Sequence, residues 1–130
     1  METIKRICLL FTLALCILSF FQRAESAPVV HFVSKMPKDS PPLDITCKVG
    51  GVALVEHLLK VGEDYQWRPT KNDIYYCSTV WGNLFAGWQA YDPERDTDHP
   101  TIFWTVNKAG FFLSYDHKSI GKKEADWQTE

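Results

Sequence analysis

Leu43, Ile45, Cys47 and Val49 alternate with Asp44, Thr46 and Lys48. An extended backbone sends successive side chains to opposite faces, so this run predicts a strand with one apolar face and one wet face. Gly50-Gly51 ends it. Short apolar or alternating runs recur along the chain at residues 29–33, 65–68, 74–80, 85–91, 102–106 and 111–115. Turn-forming residues separate them: the proline-rich stretch 37–42, Pro69, Lys71-Asn72-Asp73, and Asn107-Lys108-Ala109-Gly110 as a hairpin turn. Residues 52–61 begin with Val-Ala-Leu-Val, which a helix could also use, but Gly62 closes the stretch early, so a strand is expected around residues 57–60. About eight short strands at about ten-residue spacing predict an all-β fold, a small antiparallel β-sandwich of two sheets. The charged tail, residues 118–130, offers one apolar anchor, Trp127.

The amino end follows a different pattern. Lys5 and Arg6 precede an uncharged apolar run over residues 7–21, and Ala24-Glu25-Ser26 supplies small residues for cleavage. This predicts a secretory signal peptide over residues 1–26 and a single secreted domain over 27–130. The run is shorter than the ~20 apolar residues a membrane-spanning helix needs, so membrane insertion is not expected.

Charge then excludes one class of partner. The chain carries 14 basic and 16 acidic residues, a net charge of −2, and a phosphate-binding surface would need a basic excess, so no nucleic-acid partner is expected. Its 45% hydrophobic content places it far from the composition of disordered chains.

Of the four cysteines, Cys8 and Cys16 lie in the export segment and Cys47 and Cys77 in the domain. The oxidising export route favours one intramolecular pairing of Cys47 with Cys77, the alternatives being two buried thiols or a metal site. The histidines, His31, His57, His99 and His117, show no zinc-like spacing with these cysteines.

Candidate chemistry is sparse. No Gly-x-Ser-x-Gly, His-Glu-x-x-His or glycine-rich phosphate loop occurs, and no cofactor is implied. Glu56 and His57 are neighbours on an expected strand and would face opposite ways, so His57 reads as structural. Residues 92–100 hold Asp92, Glu94, Asp96 and Asp98 with Arg95 and His99. They read as a solvated loop that buries almost nothing, or as a protein-recognition loop; a calcium loop is the thinnest reading, since the central glycine and flanking helices of an EF-hand are missing. Of the tryptophans, Trp67, Trp88 and Trp104 read as core, while Trp81, in the turn Trp81-Gly82-Asn83, is the one expected at the surface, where it could stack on a sugar ring.

Thr46-Cys47-Lys48, Leu54-Val55-Glu56-His57-Leu58-Leu59, Gly62-x-x-Tyr65-x-Trp67-x-Pro69, Tyr75-Tyr76-Cys77, Trp88-x-Ala90-Tyr91, and Trp104-x-Val106 leading to Gly110 follow one another in this order. The series resembles the plant self-incompatibility protein and S-protein homologue family from about residue 30 to residue 127. The resemblance implies a small disulfide-held β-sandwich that is secreted and acts as a protein ligand, not as an enzyme. It implies a membrane-protein receptor on a cell surface as partner and extracellular signalling as the outcome, and a monomer is expected. Surface loops carry recognition in that family, and residues 92–100 correspond in position to one of them, which makes Asp92, Glu94, Arg95, Asp96, Asp98 and His99, with Trp81, the candidate partner-binding residues.

The chain departs from the family's four-cysteine pattern. Ile102-Phe103-Trp104 and Phe111-Phe112 stand where the later two cysteines occur. Joint loss implies that those two pair with each other and that Cys47 and Cys77 pair likewise, with Phe103 and Phe112 expected to fill the missing bridge's space. Two other functions stay in view: a secreted ribonuclease or small hydrolase, and a wall-polysaccharide-binding module.

Overall fold

The computed structural model describes residues 27–129. The expected export segment, with Cys8 and Cys16, lies outside the described residues. Nine strands and one helical turn form among those described: β1 (Val29–Ser34), β2 (Leu43–Val49), β3 (Val52–Leu59), β4 (Asp64–Trp67), β5 (Tyr75–Trp81), β6 (Leu84–Tyr91), α1 (Pro93–Asp96), β7 (Thr101–Asn107), β8 (Gly110–Ser114) and β9 (Lys122–Ala125). No helix among the described residues is long and apolar enough to cross a membrane.

The strands make two sheets, one ordered β4-β1-β7-β8-β9 and the other β3-β2-β5-β6. The all-β sandwich expected from the alternation is present, with three differences. First, β1 and β7 pair in parallel, Val30 beside Ile102 and Phe32 beside Trp104. The intervening chain builds the whole second sheet before returning, and strands so far apart in sequence need not be antiparallel as hairpin partners must. Second, the ambiguous segment is strand throughout, not only from residue 57: β3 pairs with β2 from Leu59 opposite Leu43 to Val52 opposite Val49, with Leu54 as the extra residue of a bulge. Third, the charged tail contributes β9, whose Ala125 pairs with Phe111.

Alternation became burial where it was clearest. Leu43, Ile45 and Cys47 point inward and Asp44 and Lys48 outward. Phe32, Tyr75, Trp88, Trp104 and Phe111 form the middle of the sandwich. Trp88 stacks on Phe111 at 4.3 Å, and the Trp104 indole donates to the carbonyl of Ala90 at 2.8 Å, tying the two sheets together. A large apolar ring thereby leaves water without orphaning its N–H. Cys47 and Cys77 form a disulfide between directly opposed residues of β2 and β5, inside one sheet.

Phe103 and Phe112 do not fill an interior space. Each is half-buried on the outer face of the five-stranded sheet, while Ile102 and Phe111 are the residues that point inward. Odd and even positions of a strand cannot share a face, so the first residue of each apolar pair, not the second, takes the core position.

Candidate functional site

Residues 92–100 connect β6 to β7 at one end of the sandwich. They are not an irregular loop. Asp92 accepts from the Glu94 amide at 3.0 Å and Pro93 opens a short helical turn, so Asp92-Pro93-Glu94 is a helix start: an Asp cap, proline at the first helical position and an acid in the first turn. The Thr97 amide and hydroxyl both donate to the carbonyl of Pro93 and close the turn.

Asp96 departs furthest from the solvent-facing role expected of it. Its side chain has 0% exposure. It accepts from Arg95 Nε and one Arg95 terminal nitrogen at 2.7 Å each, from the Asp92 amide at 2.9 Å and from the Tyr115 hydroxyl at 2.6 Å. Arg95 also donates to the carbonyl of Gln89 at 2.9 Å and lies over the Trp104 ring, 5.4 Å from its centroid. Burial opposes the guanidinium's charge, but the hydrogen bond and charge of Asp96 outweigh it and hold Arg95 above its usual range. Burial, then the hydrogen bond to Asp96, pushes the Tyr115 phenol up to about 12. His99 stacks on Tyr115 with ring centroids 3.5 Å apart, and its amide donates to the carbonyl of Asp96.

The structure therefore divides the candidate residues. Arg95 and Asp96 turn inward and fasten the segment to β6, β7 and the end of β8. Glu94 and Asp98 are exposed, with Asp92 and His99 half-buried beside them. The carboxylates do not converge on a cation position, since Asp96 is committed to Arg95 and Tyr115 and Asp92 to the cap; among the described residues no three His, Cys, Asp or Glu side chains are placed to hold a metal. Sequence reasoning missed Tyr115, which anchors the segment from 19 residues away. The local signal was one arginine beside an acid followed by no other base, together with the cap-and-proline start.

Trp81 lies at the opposite end of the sandwich and is half-buried, not free: it packs against Trp127, centroids 5.5 Å apart, and the Trp127 indole donates to the carbonyl of Asn107 at 2.8 Å. An open cleft of about 480 Å³ beside it is lined by Val80, Gly82, Asn83, Leu84, Phe85 and Thr129.

Every histidine has aromatic company. His31 stacks on Phe103 at 4.2 Å and meets Asp64 at 2.9 Å. His57 stacks on Tyr65 at 3.7 Å and meets Glu63 at 2.8 Å. Glu56 faces away from His57, as the strand alternation requires. The Glu63 carboxyl is held below its usual range, first by the Lys60 amide that donates to it and then by His57, against the opposing effect of burial. These pairs join the β3–β4 turn to β3, and β4 to β1.

The family model described as plant self-incompatibility protein S1 matches residues 29–127. A search of curated proteins found no match. A solved structure of a self-incompatibility protein homologue, described as one of a widespread family of small, highly stable, secreted proteins from plants, is similar with a TM-score of 0.52 at 14% identity, over 79% of this chain and 97% of that one. At that identity the likeness speaks for the fold.

Proposed function

The chain belongs to the plant self-incompatibility protein S1 family, and from that premise we propose that it is a secreted protein ligand that binds a cell-surface membrane protein in extracellular signalling. The observation that carries this reading is the β6–β7 segment. A short acidic turn is held by the partly buried ion pair of Arg95 with Asp96 while Glu94 and Asp98 stand in solvent at its outer side. Two exposed carboxylates on a fixed backbone suit recognition, because little conformational entropy is lost on docking and their charge steers a basic partner surface. The prolines at positions 93 and 100 add to that rigidity. Export through residues 1–26, and action as a monomer, are part of the same proposal.

A catalytic reading has less to work with. His31 and His117 both approach Phe103, at 4.2 and 5.9 Å between centroids. His31 is already committed to Asp64.

The test is binding of the fluorescently labelled mature protein to intact pollen tubes and to protoplasts, at low and at physiological salt. Saturable binding that weakens with salt is expected. The double variant Glu94→Lys with Asp98→Lys should lose at least tenfold in affinity and most of the salt dependence while unfolding at the parent's temperature. Equal binding by parent and variant would move the recognition surface elsewhere. RNA hydrolysis abolished by His31→Ala would replace the ligand reading with an enzymatic one.

A further inference from the structure

A sheet edge presents unpaired backbone N–H and C=O groups, and proteins that remain monomeric blunt such edges with short strands, charges or a covering segment. Three of this sandwich's four edges are treated so. β4 has four residues with Asp64 and Gln66 exposed. β9 reads Lys-Lys-Glu-Ala. β6 is covered at Phe85, whose amide and carbonyl pair with the backbone of Gln128 at 2.9 and 2.8 Å.

β3 is different. It has eight residues, Val-Ala-Leu-Val-Glu-His-Leu-Leu, with β2 on one side and no strand on the other among the described residues. Leu54 and Leu58 are exposed along it, Leu58 at 58%. Across the outward face of the same sheet stand Tyr76, Val80 and Phe85, Val80 at 60%. Of the nine large apolar side chains exposed among the described residues, eight lie on this sheet or directly beside its strands, Ile120 being the exception.

We propose that the open edge of β3 receives an extended segment of the partner protein, which joins this sheet as a fifth strand. The proposal rests on the reading of the chain as a protein ligand and names where part of the partner docks. Backbone pairing would supply affinity, and side chains alternating along the added strand would supply choice. Glu56 states the choice. It is exposed on the outward face between Leu54 and Leu58, and it has no ion-pair partner among the described residues. A segment reading apolar-x-basic-x-apolar sets a cation opposite Glu56 and apolar groups beside the leucines, which is the favourable cross-strand pairing.

The same carboxylate argues against a second copy as occupant. The two antiparallel self-pairings with the longest overlap are centred on Glu56 and on Val55. The first opposes Glu56 to itself, a like-charge pair, and the second opposes each Glu56 to the bulged Leu54 of the other copy, where the ladder is already interrupted.

The experiment uses the mature protein and three synthetic eight-residue peptides in which threonine alternates with leucine, leucine flanking a central lysine; the second carries glutamate for the lysine, and the third is the lysine peptide with alternate amides N-methylated. By fluorescence anisotropy the lysine peptide should bind at least tenfold more tightly than the glutamate peptide, and N-methylation should abolish binding. Glu56→Lys, an exposed change that leaves thermal unfolding in place, should invert the preference. Hydrogen exchange should slow at β3 amides when the lysine peptide is bound. Equal binding of the lysine and glutamate peptides, indifference to N-methylation, or a dimer in sedimentation of the free protein would each overturn the proposal. Cell binding separates the two readings: if the labelled parent and Glu56→Lys bind cells equally, the edge is not the docking site and the ligand reading stands, whereas a parent that binds no cell type removes the ligand reading while the peptide series still judges the edge.

Discussion

Taking a carboxylate out of water costs several kcal/mol unless charge-assisted hydrogen bonds replace its hydration, and Asp96 receives four such bonds from Arg95, the Asp92 amide and Tyr115. Its neighbour Asp98, two positions on, is exposed. Asp96→Ala should therefore lower stability by about 3–5 kcal/mol in urea titration, because it strands a partly buried guanidinium, an amide and a phenol. Asp98→Lys should stay within about 0.5 kcal/mol, as surface substitutions do. Equal effects would mean that the two carboxylates share one environment. The Tyr115 phenol reports on the same network through pH. Its ionisation is raised from 10.0 to about 12, so the folded protein keeps a proton that the unfolded chain releases. The stability it contributes is complete below about pH 10 and is lost as pH rises towards 12. A phenolate absorbance titration of the folded protein should show a tyrosine that resists until about pH 12 and is missing in Tyr115→Phe; a single transition near pH 10 would contradict it. The acidic character of residues 92–100 was legible in sequence. Which carboxylate turns inward was not, because the deciding partner sits on the far side of the β7–β8 hairpin.

At the scale of elements, strands with one wet face announced themselves and the others did not. β2 alternates in sequence as it does in burial, whereas β5 turns Thr79 inward and Val80 outward. β3 carries apolar residues on both faces because its outer face and outer edge are open, so periodicity had little to report. β9 is nearly all charge, since it is an edge strand whose side chains mostly face water, and propensity alone assigns no strand to Lys-Lys-Glu-Ala. Its signal lay in the residue it leans on. Gly110 opens β8 at φ +136, and a Cβ there would run into the carbonyl of Ala125. Gly82 also has a positive φ, +60, but faces open space. Gly110→Ala should therefore cost about 1–3 kcal/mol more than Gly82→Ala, because the clash adds to a backbone strain that is itself larger at φ +136 than in the left-handed region near +60. Hydrogen exchange should show the loss at β9 and at its partners Phe111 and Leu113. If the two variants match in stability and in exchange, β9 is not packed against β8 in solution as the structure places it.

The whole molecule is set by pairings that periodicity does not encode. The parallel contact of β1 with β7 joins the first strand to the seventh, and the Trp104–Ala90 hydrogen bond joins the two sheets; both depend on packing between distant segments. The disulfide is a third long-range link, and it lies where the sheet is already continuous. Thr46 pairs with Ser78 and Lys48 with Tyr76 on either side of the Cys47–Cys77 pair, and both sulfurs are fully buried. The bond therefore holds no otherwise separate elements together, and its main effect falls on the unfolded chain, where it closes a loop of sequence separation 30. In the chain-entropy account such a loop contributes about 3–4 kcal/mol. The double variant Cys47→Ala with Cys77→Ala should accordingly keep its strand pairing, tryptophan fluorescence and binding behaviour while losing about that amount in urea titration. The single variant Cys47→Ala should lose as much and leave Cys77 as a thiol, alkylated only once the protein unfolds because β2 and β5 enclose it. Loss of the native spectrum in the double variant would mean that the bond directs the pairing of β2 with β5, and a parent protein that takes up alkylating reagent at either cysteine without reductant would mean that the bond is not formed.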